Sequence, residues 1–377
     1  MRRIKIGMIL TFALMISTPL VLQLLGLNLN ASNTENRKLK ERPAFSFAQT
    51  KAGEGVPRKA LGAYRDVIAF KNAYDTYYKD NFVLKSWLFK SYYFIQNDCF
   101  GVDPIPQKVV KGTNGWLFLG DSYSNAMKES KAIIAFEEKE LTKIKAMLLK
   151  KKAWLDQQHI DFYVAVAPNK HSIYGEELPI EKGKKASKRE QLKKLFESED
   201  LNFIDLADAF PDKTKGRLYH KTNTHWNDYG AFWGYHALLS KIKEDHPSLQ
   251  LLNLEDFEMV TEISQREDLT GMLGINIEEE RILLKNANEI ATKVPSTLPV
   301  PPKVKNYVFQ YRSTINNIKV LTFRDSFFTT LMKFMKESFG ESVYIWGWFS
   351  EEVVEIEKPD IVVWEIVERD LDILLLQ

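Results

Sequence analysis

The pattern of apolar and polar positions begins with an unbroken apolar run. Residues 6–27 (IGMILTFALMISTPLVLQLLGL) carry no charged side chain, and Arg2, Arg3 and Lys5 precede them. About 20 apolar residues are enough to cross a bilayer as a helix. The basic flank is expected to stay in the cytoplasm, which sends the rest of the chain outside it. We therefore predict a signal anchor, a transmembrane helix, over residues 1–28, with the remainder extracytoplasmic in the periplasm or at the cell surface.

A cleaved signal peptide is the alternative for this run. The segment Leu29-Asn30-Ala31 is a poor match to the small-residue site at which such peptides are cut. Pro19 lies inside the run, but proline is tolerated in membrane helices. The pattern favours a retained anchor that attaches the protein to a membrane.

Residues 29–108 read as a linker followed by a helical docking segment. Residues 28–51 are polar, whereas residues 64–100 are rich in aromatics with apolar positions near helical spacing. One or two helices are predicted in this second part.

From residue 109 to residue 377, apolar strands alternate with amphipathic helices. Strands are predicted at 162–168, 202–206, 317–323, 343–349 and 360–367, a hairpin turning at Asn114-Gly115, and helices at 137–159, 230–242 and 327–338. This alternation predicts an α/β domain with a mostly parallel sheet covered by helices on both faces. Functional groups of such sheets gather beyond the carboxyl ends of the strands.

Composition excludes several classes of function. With 52 basic and 50 acidic residues the formal net charge is +2, which argues against a nucleic-acid binder. The single cysteine, Cys99, rules out an intrachain disulfide and a cysteine-rich zinc site. Nothing suggests a metal, nucleotide or redox cofactor. The eight tryptophans suit either a well-filled core or a sugar-facing groove.

Two residues stand out as candidates for catalysis. Ser326 lies where an apolar strand gives way to a helix, near amide donors that favour an oxyanion, although Asp-Ser there is also an ordinary helix cap. His225 is preceded by Asn223, and residues i and i+2 of an extended chain point the same way. A structural histidine beside Trp226 is the alternative, with Asn227 or Asp228 capping the next helix.

Asn169 and Ser122 are further candidates. Asn169, in the segment Pro168-Asn169-Lys170, could donate to an oxyanion or a sugar hydroxyl, or could simply belong to a turn. Ser122, in GDSYS, resembles the serine block of lipase-like esterases. It follows a predicted hairpin, however, and no histidine occurs after His246, so Ser122 is a poor nucleophile candidate.

Six segments together resemble the alginate O-acetyltransferase-like family, whose catalytic domain has a permuted SGNH-hydrolase fold. They occur in the family's order over residues 34–371: ENRKLKERP, KGTNGWLFLG, APNKHSIYGEELP, THWNDYGA, FRDSF and PDIVVWEIVERDL. The resemblance covers most of the chain.

The resemblance implies roles for particular residues. Ser326 matches the family's nucleophile, His225 its general base, and Asn223 the position of the orienting aspartate. Asn169 and Arg324 are candidates for oxyanion or substrate binding. The implied reaction is a ping-pong transfer, in which an acetyl group from a membrane-bound O-acyltransferase passes through a serine ester to a polysaccharide hydroxyl. Ser326 Oγ and His225 should then lie about 2.6–3.2 Å apart.

Asn223 leaves three outcomes open. In serine proteases, asparagine in place of the triad aspartate lowers kcat by about 10⁴ because the wrong histidine tautomer is favoured. Another carboxylate could substitute, with Asp228, Asp325 and Glu365 as candidates; a Ser-His dyad could work slowly; or catalysis could be lost while polysaccharide binding is kept. A carbohydrate acetylesterase is a further alternative to the transferase.

Overall fold

The computed structural model describes residues 2–27, 39–48, 56–103, 105–286, 288–296, 298–299 and 306–377. These form two compact units, residues 1–104 with 271–276 and residues 105–270 with 277–377. The tripeptide weighed as a cleavage site, and most of the predicted linker, lie outside the described residues.

The first unit is helical. Helix α1 (Arg2–Leu24) includes a stretch, Ile4–Leu24, long and apolar enough to cross a membrane by length and composition, a test that a signal sequence also passes. Helices α2 (Val56–Asn81) and α3 (Lys85–Phe94) follow, and α3 continues into a π-helical turn at Ile95–Cys99. The helices expected in the aromatic-rich segment are therefore confirmed.

The second unit contains the sheet. Its strands are β1 (Val109–Lys111), β2 (Leu117–Leu119), β3 (Asp161–Ala167), β4 (Asn202–Asp205), β5 (Phe257–Ser264), β6 (Glu279–Asn286), β7 (Thr292–Val294), β8 (Val308–Arg312), β9 (Lys319–Arg324), β10 (Glu341–Trp346) and β11 (Ile361–Val367). Its helices are α4 (Ala126–Ser130), α5 (Glu138–Asp156), α6 (Lys170–Ile173), α7 (Lys188–Phe196), α8 (Asp228–Asp245), α9 (Asp268–Leu273, whose last residues belong to the first unit), α10 (Phe328–Met335) and α11 (Glu351–Glu357).

Seven strands form one mixed sheet in the order β4-β3-β11-β9-β10-β8-β7. The first five run parallel to one another, while β8 and β7 pair antiparallel at the far edge. The mostly parallel sheet predicted from the sequence is confirmed. Strand β11 is buried along its whole length, which explains why its sequence is apolar except for Glu365, because parallel strands are covered on both faces.

Alternate residues of the strands pack into two separate hydrophobic cores, one on each face of the sheet. Tyr163 and Val363 pack on one face of the sheet with residues of α8 and α10. Phe162 and Trp364 pack on the other face with residues of α5 and α7. Helices thus cover both faces, as predicted.

Two local features follow from short sequence patterns. The hairpin β1-β2 turns through Asn114 (φ 51°) and Gly115 (φ 78°), both in the left-handed region that an Asn-Gly turn supplies. The segment that follows β11 is a 3₁₀-helix, Glu368–Leu375. Its order follows from Leu371 and Leu374, which lie three residues apart on one side and are buried.

Candidate active site

Ser326 lies in the turn between β9 and α10, beyond the carboxyl end of β9. Asp325 holds this turn, because its Oδ1 accepts from Phe327 N–H (2.8 Å) and its Oδ2 accepts from Val367 N–H (2.6 Å) at the end of β11. Glu365 Oε2 accepts in turn from Asp325 N–H (3.1 Å). The turn carrying Ser326 is therefore tied to the neighbouring strand, and the Phe327 amide is already occupied by Asp325.

His225 lies in the loop between β4 and α8. Trp226 is buried, and its Nε1–H donates to Phe327 O at 3.0 Å, which pins the loop against the start of α10. Asn227 Oδ1 accepts from Gly230 N–H (2.9 Å), so the predicted N-cap of α8 is confirmed at this residue. The loop is thus fixed on the C-terminal side of His225.

Lys170 fixes the same loop from beneath. Its side chain is buried, and its Nζ donates to the backbone carbonyls of His220 (3.1 Å), Lys221 (3.0 Å) and Asn223 (2.7 Å). An ammonium has three N–H donors, which match these three acceptors. Burial lowers the pKa of Lys170 to about 7, and the negative charges of Asp268 and Glu279 oppose this.

The loop and the turn bring the two candidates into contact. His225 Nε2 lies 2.8 Å from Ser326 Oγ, within the expected hydrogen-bonding range. The opposite ring nitrogen, Nδ1, lies 2.8 Å from Asn223 Oδ1 and 3.1 Å from Thr224 Oγ1. The His225 ring therefore spans Ser326 on one side and two polar side chains on the other.

The orientation of the Asn223 amide is determined by two neighbours. Its oxygen accepts from the backbone N–H of His225 (3.0 Å), which can only donate. Its Nδ2 donates to Glu267 Oε2 (2.5 Å), and Arg281 lies 3.5 Å from the other carboxylate oxygen. Because an ionised carboxylate only accepts, Oδ1 is the atom that faces the imidazole. Nδ1 must then carry the proton, which leaves Nε2 free to accept from the Ser326 hydroxyl.

A carboxylate that the sequence analysis missed lies behind Thr224. Asp268 Oδ2 accepts from the Thr224 hydroxyl, Asp268 Oδ1 accepts from Thr224 N–H (2.9 Å), and Oδ2 lies 3.9 Å from His225 Nδ1. Thr224 Oγ1 thus connects the imidazole to a negative charge that Asn223 lacks. Burial raises the pKa of Asp268, and the Thr224 hydroxyl and Lys170 oppose that rise.

The surroundings keep His225 neutral. Burial of the ring, followed by the positive charge of Arg369, lowers the pKa of His225 below its ordinary value. A neutral imidazole is the form that can take a proton from a hydroxyl.

The three carboxylates proposed as substitutes for Asn223 are engaged elsewhere. Asp228 forms an ion pair with Lys333 and accepts from Leu284 N–H, while Asp325 and Glu365 hold the turn at Ser326. The carboxylates near Nδ1 are Glu267 and Asp268 instead. No spacing in the sequence relates these two to His225, because their contacts with residues 223 and 224 bridge 44 positions.

The other candidate residues take different positions. Asn169 is buried, with its Nδ2 donating to Ser130 Oγ (3.0 Å) and its Oδ1 accepting from Arg369 (3.2 Å). Arg369 in turn lies over the ring of Phe327, with its Cζ 5.0 Å from the ring centroid. Ser122 follows the hairpin, where its N–H donates to Gln107 O (2.8 Å).

Arg324 and Ser326 both line a cleft of about 540 Å³. The walls of the cleft come from the ends of β9, β10 and β11, from the 3₁₀-helix after β11, and from residues 124–125. Among the described residues, no group of three or more His, Cys, Asp or Glu side chains is placed to hold a metal ion.

A known protein family and several solved structures resemble this chain. Residues 109–300, half of the chain, match the family model described as "SGNH hydrolase-like domain, acetyltransferase AlgX". The matched segment contains Asn223, His225 and Asp268 and ends before Ser326. No curated protein sequence matches the chain.

Among solved structures, Bacillus cereus PatB1 with a sulfonyl adduct superposes with a TM-score of 0.52 at 14% identity, covering 70% of this chain and 94% of that one. A second PatB1 structure gives a TM-score of 0.50 at 14% identity over 70% and 96% of the two chains. The O-acetyltransferase domain of Pseudomonas putida AlgJ gives 0.40 at 17% identity over 70% and 92%. The PatB1 likeness shows a shared fold.

Proposed function

This chain belongs to the family of the SGNH hydrolase-like domain of the acetyltransferase AlgX, and on that premise we propose that it carries an acetyl group on Ser326 and passes it to a polysaccharide hydroxyl. The observation that carries this proposal is the 2.8 Å contact between Ser326 Oγ and His225 Nε2, in a histidine whose other nitrogen is held by Asn223 Oδ1 at 2.8 Å. A nucleophile, a base and a group that orients the base are the parts that acyl transfer through a serine needs.

In the first half-reaction, Ser326 Oγ attacks the carbonyl carbon of the acetyl donor while its proton moves to His225 Nε2. The donor's C–O bond breaks, and its alkoxide takes the proton from Nε2. Ser326 is left as an acetyl ester and His225 is neutral again. The guanidinium of Arg369, which lines the cleft beside Ser326, supplies positive charge near the oxyanion.

In the second half-reaction, a sugar hydroxyl gives its proton to Nε2 and attacks the acetyl carbon. The ester bond to Ser326 breaks, and Oγ recovers the proton from Nε2. Atoms and charges balance over the two steps, and no cofactor takes part. Water in place of the sugar would make the same protein an esterase.

Asn223 fits this scheme because its amide cannot turn over. Asparagine fails in a serine protease triad when the amide favours the wrong tautomer. Here Glu267 accepts from Nδ2 and the backbone N–H of His225 donates to Oδ1, so turning the amide would replace both hydrogen bonds by repulsive contacts. The missing negative charge comes from Asp268 through Thr224, which stabilises the imidazolium of the transition state.

The N-terminal helix supports placing this domain at a membrane surface. We propose that α1 is an anchor with the sheet on its extracytoplasmic side, since Arg2, Arg3 and Lys5 lie at its N-terminal end. The acetyl group would then come from a separate membrane-bound O-acyltransferase, and the acceptor would be a polysaccharide outside the cytoplasm.

The experiment uses the full-length chain in detergent, with 4-nitrophenyl acetate as surrogate donor and hexasaccharides as acceptors. We expect an acetyl group on Ser326 by mass spectrometry and acetylated saccharide as product. Ser326→Ala should lower kcat by about 10⁴-fold or more, because the covalent step is lost. Ser122→Ala is the matched control and should retain full activity.

Two results would overturn the proposal. Hydrolysis of the ester without transfer, even at saturating saccharide, identifies an acetylesterase. Saccharide binding without any acetyl-serine identifies a binding protein that has lost catalysis.

A further inference from the structure

The cleft beside Ser326 has an aromatic wall at the end of β10. Trp346 and Trp348 both line it, and 40% and 53% of their surfaces are exposed. Trp346 pairs with Arg324 in the parallel register of β10 and β9, so this wall begins two residues from Ser326. Trp346 packs against Tyr307 (ring centroids 5.5 Å apart) and carries Arg324 Cζ 5.0 Å from its ring centroid, so Trp348 is the more open of the two rings. Exposed apolar patches commonly mark binding sites.

A glycine, Gly347, forms the backbone turn between the two tryptophans. Gly347 has a φ of 146°, a backbone conformation that other residues rarely adopt, and its N–H donates to Arg324 O at 3.1 Å. A Cβ added there would meet no atom within 4 Å. The glycine therefore serves the backbone turn between Trp346 and Trp348 and leaves open space beside it.

The same cleft contains buried polar atoms that lack partners within the described part of the chain. Glu365 is 2% exposed, and its Oε1 has no hydrogen bond, whereas Oε2 accepts from Asp325 N–H. Arg324 is also 2% exposed, and its Nε has no partner although its Nη1 donates to Thr329 Oγ1 (2.9 Å). Most buried polar atoms in folded proteins are paired, so unpaired ones on the wall of a cleft point to a polar ligand.

We propose that this cleft is the acceptor subsite, in which one sugar ring of the polysaccharide lies against Trp346 and Trp348 and turns its hydroxyls toward Glu365 and Arg324, beside Ser326. A pyranose ring matches these walls because its C–H groups form an apolar face that suits the negative face of an indole, while its edge carries hydroxyls. Naming the bound sugar as the acceptor rests on the proposed transferase function.

The chemistry of the walls favours a sugar over an acyl chain. An acyl chain would cover the tryptophans but leave the Glu365 and Arg324 atoms unpaired, at a cost for each buried group. A sugar ring offers its apolar face to the tryptophans and its hydroxyls to the polar atoms. Small-molecule sites usually combine apolar walls with a few polar groups in this way.

The test measures binding separately from catalysis. In full-length Ser326→Ala protein, titration with cellohexaose, chitohexaose and a mannuronate hexasaccharide is followed by calorimetry and by tryptophan fluorescence. We expect at least one to bind and to quench fluorescence, and Trp348→Ala to weaken that binding about tenfold, the equivalent of about 1.4 kcal/mol. Trp348→Phe should recover most of the affinity, because the aromatic face is retained.

Trp87→Ala is the matched control, since Trp87 is 58% exposed and belongs to the other compact unit. It should leave saccharide affinity unchanged. In the enzyme with Ser326 intact, Trp348→Ala should raise the KM for the saccharide acceptor by about tenfold.

Separate results overturn the subsite and the function. Failure of all three hexasaccharides to bind, equal affinity before and after Trp348→Ala, or a Trp348→Ala effect confined to the KM of the acyl donor would overturn the subsite even if acetyl-Ser326 forms. Saccharide binding that depends on Trp348 in a protein that never forms acetyl-Ser326 would uphold the subsite and overturn the transferase.

Discussion

The two sides of Ser326 differ in how completely their polar atoms are bonded. On one side, the histidine network (His225, Asn223, Thr224, Glu267 and Asp268) is joined by hydrogen bonds between its members, and Glu267 Oε1, which has no hydrogen bond, lies 3.5 Å from Arg281 Nε. On the other side, the cleft leaves the Glu365 Oε1 and Arg324 Nε atoms without hydrogen bonds and Trp346 and Trp348 partly exposed.

This difference assigns separate tasks to the two sides of Ser326, the orientation of His225 and the binding of a ligand. A closed network sets the protonation and direction of one ring, so a change at any member should propagate to the reaction rate. The open wall of the cleft has fewer fixed partners, so substitutions there should have graded effects, and these should appear in the affinity for the ligand. Substitutions in the network are the way to break or sharpen this division.

The largest effect is expected for Lys170→Met. The carbonyls of His220 and Asn223 would lose the Nζ donor, whereas that of Lys221 would keep the Leu117 N–H (2.9 Å), and an unsatisfied buried carbonyl costs about 1–3 kcal/mol. We expect the melting temperature to fall by about 5–10 °C and kcat by at least about 100-fold, because the loop that carries His225 is released. Circular dichroism melting and acetyl transfer by the full-length chain measure the two.

Lys221→Met is the matched control for Lys170. Lys221 Nζ donates to one carbonyl, that of Asn114 (2.9 Å), at an exposed site, so its loss should cost under about 1 kcal/mol. Equal behaviour of the two variants would show that Lys170 does not hold the loop.

A smaller effect, about ten- to 100-fold in kcat, is expected for Glu267→Gln. Glutamine can offer either its oxygen or its amide nitrogen to Asn223, so one of the two contacts that fix the Asn223 amide is lost. Only the His225 N–H then favours the Nδ1 tautomer, and the other tautomer becomes more populated. Nitrogen NMR of the His225 ring reports the tautomer directly. If Glu267 had only a structural role, its replacement would not change that tautomer.

The double variant Asn223→Asp with Glu267→Gln sharpens this test. A carboxylate at position 223 needs no orientation, so the double variant should regain most of the lost rate. Asn223→Asp alone should be less favourable than the double variant, because it sets two carboxylates against each other. If Glu267→Gln alone leaves both tautomer and rate unchanged, Glu267 does not position Asn223.

The smallest effect is expected for Asp268→Asn, with a loss of about tenfold in kcat/KM at its plateau. A negative charge 3.9 Å from Nδ1 favours the imidazolium, so its removal lowers the pKa of His225 further. The acid limb of the kcat/KM profile should therefore move to lower pH while the plateau falls.

Thr224→Val removes the hydroxyl but leaves the charge of Asp268, so it should lower the plateau and shift the limb less than Asp268→Asn does. Thr224→Ser should do neither, because serine keeps the hydroxyl between Asp268 and the ring. A limb that moves to higher pH in Asp268→Asn would contradict the assignment of the negative charge to Asp268.

The sequence predicts the sheet better than it predicts the network. Strand β11 stands out because a strand buried on both faces has an almost wholly apolar sequence, here interrupted only by Glu365. Ser326 and His225 stand out because they lie beyond a strand end or beside a capped helix. The proximity of Asn223 and His225 was expected from an extended backbone. In the structure it comes from a turn, in which Asn223 Oδ1 accepts from His225 N–H.

Glu267, Asp268 and Lys170 could not be assigned from the sequence for a physical reason. The chain has 50 acidic residues, and which of them lies near Nδ1 depends on loops brought together by the fold rather than on any periodic pattern. Lys170 was noted only as part of a turn, because the carbonyls that it bonds lie 50–53 positions away.

The position of β11 has a consequence for the order of assembly. This strand lies inside the sheet between β3 and β9, although its Ile361 pairs with Asp161, about 200 positions earlier. Strands β3 and β9 therefore have no strand between them until β11 joins the sheet. Pairing between such distant segments costs loop-closure entropy before it gains contacts, so the middle of this sheet is expected to form slowly.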